Sequence, residues 1–259
     1  MRAAGILLLA ALVGCSRAPQ GEKALRVGVT PVPAGELINH LAPALRKQGI
    51  ELKVVSFSDY IQPNLALSAG ELDANLYQNV PFMNQFNRDH GSKIVSVVRA
   101  YLPPMGIYPG RTKTLPLSDG AIVSLPNDPV NLGRGLLLLQ SAGLIGVKAG
   151  SSATLTVRDV TGNPKHLQFR ELEAAQLPRS LQDVDAAVIN ANFALDAGLS
   201  PDRDTLFREN TDSAYANVLA VNSGRETDPR VVALAHALTS EESRKFILER
   251  YKGAVSPSF

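Results

Sequence analysis

Arg134 is the side chain in this 259-residue sequence best suited to grip an anion. It closes the run Asn127-Asp128-Pro129-Val130-Asn131-Leu132-Gly133-Arg134, in which Asp128 can cap a helix and Pro129 suits its first turn. Such a helix start presents unpaired backbone N–H groups, which attract anions. Asn131 falls in the first turn, and Arg134 in the second, where a guanidinium can hold a carboxylate through two parallel bonds. The same residues also describe a capped surface helix with a solvated arginine.

Amides form the second group. Ala186-Ala187-Val188-Ile189-Asn190-Ala191-Asn192 reads as a strand buried on both faces that ends in two polar side chains. Strand ends of this kind form the rim where α/β proteins bind ligands. One of the two amides is equally suited to cap a following helix. Tyr215-Ala216-Asn217 supplies a further amide, and Tyr77, Gln78, Asn79 and Phe82 offer an apolar wall with amides attached. Tyr77 and Phe82 also fit a core role. Glu171, Glu173 and Gln176, at a strand-to-helix junction, could answer a ligand ammonium or simply favour a helix N-terminus.

Signatures of catalysis are missing from the sequence. There is no G-x-S-x-G, S-x-x-K, H-E-x-x-H, P-loop or G-x-G-x-x-G. His40, His90, His166 and His236 are far apart, and none has a metal-ligand spacing. A binding protein without metal or cofactor is the expectation, with an enzyme on the same scaffold as the alternative.

These residues need elements to hold them. Strands are expected at 25–30, 51–57, 72–77 and 94–102, alternating with helices at 36–47, 59–68 and from Pro81 onward. That alternation predicts a parallel sheet with helices on both faces. Residues 101–111 carry Pro103, Pro104, Gly106, Pro109 and Gly110, which predicts an extended connector. The alternation then restarts, with strands at 121–125, 166–171 and 185–190 and helices at 128–141 and 174–181. An extended run at 215–222 precedes a helical stretch at 228–251. The expected fold class is α/β, in two lobes joined by two extended crossings near 101–110 and 215–223, with a ligand cleft between them. Lobe 1 is expected to span 24–105 plus 223–259, and lobe 2 to span 106–222.

The N-terminus sets the compartment. Arg2 precedes a short apolar core at 6–13, and Leu12-Val13-Gly14-Cys15 reads as a lipoprotein cleavage box. The run is too short for the ~20 residues a bilayer requires, so residues 1–14 are expected to be a signal peptide. Cys15, the only cysteine, becomes the lipidated N-terminus, and residues 15–23 a flexible tether to a membrane. A net charge of +2 with scattered Lys and Arg gives no nucleic-acid footprint.

Taken together, these motifs resemble the methionine-binding lipoproteins of the NlpA type, the substrate-binding components of a bacterial ABC importer. The resemblance runs from Leu25 almost to the C-terminus. Its markers include Val27-Gly28-Val29-Thr30-Pro31-Val32-Pro33, Asp73-Ala74-Asn75, Asn131-Leu132-Gly133-Arg134, Ala187-Val188-Ile189-Asn190 and Tyr215-Ala216-Asn217. It implies a type II periplasmic-binding-protein fold that closes on a free amino acid. It also implies a monomer in the cell envelope, facing the periplasm or exterior, that works with a permease and ATPase complex. By the family's pattern, Arg134 pairs with the ligand carboxylate. Asn190 or Asn192, with Asn217, binds the amino-acid backbone, and first-lobe aromatics such as Tyr77, Phe82 and Tyr101 line a thioether slot. Three positions depart from that pattern. Ala34 and Asn79 stand where the family often has histidine, and Phe82 where it commonly has tyrosine. A retuned ligand, or an adhesion or envelope role, is the alternative these departures imply.

Overall fold

The computed structural model describes residues 24–148, 154–210 and 214–259. The expected signal peptide and lipidation at Cys15 lie outside the described residues. The chain opens with β1 (Leu25–Val29), α1 (Glu36–Lys47), β2 (Leu52–Ser56), α2 (Gln62–Ser68), β3 (Ala74–Asn79), α3 (Val80–His90) and β4 (Ile94–Leu102). Leu37, Ile38, Leu41 and Leu45 recur at helical spacing and are the residues α1 buries. Asn79 caps α3, its side-chain oxygen accepting from the N–H of Phe82 at 3.0 Å.

Only three residues separate β4 from β5 (Gly106–Pro109), yet the two strands belong to different sheets. There follow β6 (Ile122–Pro126), α4 (Pro129–Ser141), β7 (Gly146–Val147), β8 (Val160–Gly162), β9 (Gln168–Leu172), α5 (Leu177–Ser180), β10 (Ala186–Ile189), α6 (Ala191–Asp196) and β11 (Phe207–Arg208). The chain then returns through β12 (Asn217–Asn222), α7 (Pro229–Leu238), α8 (Glu241–Tyr251) and β13 (Ser256–Pro257). Where one helical stretch was expected at 228–251, Thr239 ends α7 and Ser240 caps α8.

The first sheet has the order β13-β4-β12-β3-β1-β2 and the second β11-β5-β10-β6-β9, with β7 and β8 forming a separate pair. Neither large sheet is purely parallel, which corrects the expectation from the alternation. β1 runs parallel to β2 and β3, and β6 runs parallel to β9 and β10. β12 is antiparallel to β3 and β4, and β5 to β10 and β11. The connection explains the sense. A parallel neighbour needs a crossover back along the sheet, whereas β5 and β12 enter directly from the other sheet and run the opposite way. β12 sits in the middle of the first sheet, between β4 and β3.

Residues 106–109 form a strand rather than the expected connector, with Ile107 and Tyr108 fully buried. The glycines there mark close backbone approach. A Cβ on Gly110 would lie 2.2 Å from the carbonyl oxygen of Val184, and one on Gly106 2.5 Å from Thr205 Cγ2. Each sheet has its own core. Val27, Leu41, Leu76 and Leu234 pack in the first, and Val123, Leu125, Leu136 and Val188 in the second.

Candidate ligand-binding site

Strand ends from both sheets meet at one cleft. Asn217, at the start of β12, pairs with Asn79 at the end of β3 and with Tyr101 near the end of β4. From the second sheet, β6 leads into the N-terminus of α4 and β10 into that of α6. The cleft is nearly shut in this structure, enclosing a cavity of about 20 Å³. Its lining includes Tyr77, Asn79, Phe82, Asn131, Arg134, Asn190, Asn192 and Asn217, eight of the nine residues expected from the sequence. Tyr101 is the exception. It is fully buried behind the lining, where its hydroxyl accepts from Asn217 Nδ2 at 3.2 Å. Asn217 Nδ2 also reaches the carbonyl of Tyr77 at 2.8 Å.

Arg134 is 3% exposed and already paired. Glu209 takes its Nε at 2.7 Å and its Nη2 at 2.5 Å, and Nη2 also reaches the carbonyl of Pro103 at 3.0 Å. The guanidinium lies 4.4 Å from the ring centroid of Tyr215. Nη1 takes part in none of these bonds. This buried ion pair joins residues 75 apart in sequence, which is why motif spacing gave no sign of Glu209.

A directed chain of hydrogen bonds crosses the floor of the cleft. Asp128 caps α4, accepting the backbone N–H of Asn131 at 2.9 Å on one oxygen and Asn131 Nδ2 at 2.9 Å on the other. Burial pushes the Asp128 carboxyl up from its ordinary range, against the bonds from Asn131. Asn131 Oδ1 in turn accepts Asn190 Nδ2 at 2.9 Å. Asn190 stands at the cap position of α6, but its side chain caps nothing. Its Oδ1 is buried without a partner. A buried acceptor left open costs roughly 1–3 kcal/mol, so such an atom in a cleft marks a place for a donor.

Tyr60 was not singled out from sequence. Its hydroxyl donates to Asn192 Oδ1 at 2.5 Å, bridging the loop after β2 to α6. Tyr77 fixes that loop by donating to the carbonyl of Tyr60 at 2.8 Å. The rings of Tyr60, Tyr77 and Phe82 lie 5.8–6.2 Å apart between centroids. Together they form one aromatic wall, and burial raises both tyrosine hydroxyls well above their ordinary pKa. Gln78, Pro103 and Ala191 complete the lining. Glu173 lies apart, exposed on a wider neighbouring cavity with Asp59 and Asp128. Ala34 is buried in the first core and does not line the cleft, so the departure there opens no new space in the pocket. Among the described residues no group of His, Cys, Asp or Glu could hold a metal ion.

Two mixed sheets with flanking helices, facing a cleft at their strand ends, have the architecture of a type II periplasmic-binding protein. Residues 25–259 match NlpA lipoprotein, and the chain belongs to that family. The chain is 41% identical over 237 residues to the D-methionine-binding lipoprotein MetQ of Escherichia coli strain K12, covering 90% of this chain and 87% of the relative. A nutrient binding protein from Burkholderia cenocepacia, solved bound to methionine, superposes with a TM-score of 0.88 at 43% identity, covering 91% of this chain and all of that one, 100%. A periplasmic substrate-binding protein of an ABC transporter from Coxiella burnetii gives a TM-score of 0.86 at 40% identity, over 90% and 100% of the two chains. Proteins of this family are membrane-anchored lipoproteins of the cell envelope, and substrate binding rather than catalysis is their activity.

Proposed function

We propose that the protein is a lipid-anchored, extracytoplasmic substrate-binding protein that captures a free amino acid, foremost methionine, and delivers it to an ABC importer. The observation that carries this reading is the open Asn190 Oδ1 in the same cleft as Arg134. An acceptor for an ammonium and a donor for a carboxylate are the two grips an α-amino acid requires. Glu209 neutralises Arg134, so a zwitterion adds no net charge to the buried site. The wall of Tyr60, Tyr77 and Phe82 suits a thioether, since sulfur contacts aromatic rings favourably. The methionine-bound relative and the E. coli MetQ relative support methionine as first choice.

In this reading, Arg134 Nη1 meets the ligand carboxylate. Asn131, Asn190, Asn192 and Asn217 surround the amino-acid backbone, and Cys15 carries the lipid. The lobes are residues 24–105 with the returning segment from β12 onward, and the stretch between. The protein acts as a monomer that docks on its permease.

Calorimetric titration of L-methionine into residues 16–259, unfolded to strip ligand and refolded, tests the proposal. Saturable one-to-one binding is expected. Replacing Arg134→Ala together with Glu209→Gln removes the guanidinium without stranding a buried carboxylate, and should weaken binding by roughly 30-fold or more. A folded protein giving no heat with methionine would overturn methionine as the ligand.

A further inference from the structure

We infer that Asp128 and Asn131 are positioning residues that hold the Asn190 amide with its oxygen open to the ligand, so that the site selects molecules bearing an ammonium. The inference rests on the amino-acid reading of the cleft and on the polarity of the hydrogen bonds from Asp128 to Asn190. An amide side chain can present either its NH2 or its oxygen, and only its partners decide which. Here the deciding group sits at the far end of the chain. The backbone N–H of Asn131 can only donate, so the Asp128 oxygen facing it must accept. The other oxygen of the same carboxylate also accepts, which turns Asn131 Nδ2 toward it. Asn131 Oδ1 is thereby directed at Asn190 and must receive Asn190 Nδ2. What remains of Asn190 is the oxygen that no group in the protein satisfies. Reversal of any one amide would set two donors, or two acceptors, against each other in a buried site.

A negative charge at one end of such a chain polarises each bond in turn, strengthening the acceptor at the other end. The carboxylate thus acts on the ligand from two side chains away without touching it. Its residue is also the cap of α4, so a test must separate the two roles.

Asp128→Asn does so. Asparagine caps helices as well as aspartate, and the cap oxygen stays facing the Asn131 N–H. The new NH2 then faces the Asn131 side chain, which must turn its oxygen to meet it. Asn190 must turn in consequence, presenting NH2 to the cleft. The measurement is the affinity ratio between L-methionine and its des-amino analogue, which keeps carboxylate and thioether but lacks the ammonium. In Asp128→Asn that ratio should fall by on the order of 10- to 100-fold, with the melting temperature little changed. Adding Asn190→Asp to this variant rebuilds an acceptor at the cleft while giving Asn131 Nδ2 an oxygen to bond, and should recover the preference for methionine. A merely structural Asp128 would leave the ratio unchanged in the single variant, with no loss to recover.

An unchanged ratio in Asp128→Asn, in a protein that binds methionine, would overturn the relay and leave the amino-acid reading intact. A wild-type protein that ignores methionine would overturn that ligand, and the relay is then decided without one. The Asn190 side-chain NH2 should exchange slowly in wild type and quickly in Asp128→Asn by NMR, and equal rates would overturn it.

Discussion

The cleft is built from polar side chains that are mostly committed before any ligand arrives. Arg134 and Glu209 are the extreme case, with side chains 3% and 13% exposed. Taking two charges out of water is expensive, and only the mutual bond and further hydrogen bonds recover it. Glu209→Gln keeps the shape but removes the countercharge, leaving a buried guanidinium without its neutralising partner. We expect a loss of roughly 3 kcal/mol in unfolding free energy from urea denaturation. We also expect weaker selectivity against ligands that are net anions, because the site becomes positive. An unaltered urea midpoint would show that the pair contributes nothing to the fold. The sequence pointed to Arg134 because helix capping is local. It was silent on Glu209 and Tyr60 because their partners are 75 and 132 residues away. Eight of nine expected residues line the cleft because they lie at strand ends or helix starts, which hydropathy and capping patterns mark. Tyr101 reads as extended backbone of the right chemistry, yet which layer its side chain occupies depends on β12, a strand added from far along the chain.

Elements hold these residues in place through buried polar cores as well as apolar ones. Asn64 in α2 and Asn75 and Gln78 in β3 form a closed amide cluster, all nearly or fully buried. Asn64 Oδ1 accepts from Asn75 Nδ2 and Gln78 Nε2, each at 2.8 Å, and Asn64 Nδ2 donates to Gln78 Oε1 at 2.7 Å. The cluster ties α2 to the strand carrying Tyr77 and Asn79. Asn64→Ala leaves the buried Gln78 Oε1 without its donor, while Asn75 Nδ2 keeps the Pro63 carbonyl and Gln78 Nε2 keeps Asn75 Oδ1, and should cost about 2 kcal/mol in thermal or chemical unfolding. At the start of α7, Asp228 accepts from the N–H of Arg230 at 3.0 Å and pairs with the Arg225 and Arg230 guanidinium groups, each at 2.7 Å. The bond from the Arg230 side chain leads in pulling its pKa down to about 2. A carboxyl lowered in the folded state stabilises in full above its unfolded pKa of about 3.9, and that contribution is lost as pH falls through about 2. Unfolding free energy measured from pH 5 down to 2 should therefore fall less steeply in Asp228→Asn, which keeps the cap. Parallel curves would rule the linkage out. The sequence made β12 legible as an extended run but not its direction, since antiparallel insertion is decided by the crossing from the other sheet.

At the scale of the whole molecule, capture by closure needs contacts across the cleft that are specific yet few enough to break. Tyr60 donates to Asn192, and Arg208 of β11 donates to the carbonyl of Gly253 after α8 at 3.1 Å. Around the first, the Tyr60 ring meets Phe193 of α6 at 5.0 Å between centroids. This places one hydroxyl at the junction of three functions: it closes the cleft, orients Asn192 and belongs to the aromatic wall. Tyr60→Phe separates them, because it deletes the bond while keeping the ring. The protein should fold normally, since the hydroxyl joins the two sheets' units rather than stabilising either core. Loss of one such bond is worth about 1 kcal/mol, or roughly a 5-fold weaker ligand affinity. The loss should come mainly through faster dissociation, because the bond forms as the cleft shuts. Stopped-flow kinetics and small-angle scattering with saturating ligand read the two consequences together. Unchanged dissociation and an unchanged radius of gyration would mean that closure is held by the ligand alone. A faster off-rate with the same on-rate would assign the Tyr60–Asn192 bond to holding the cleft shut.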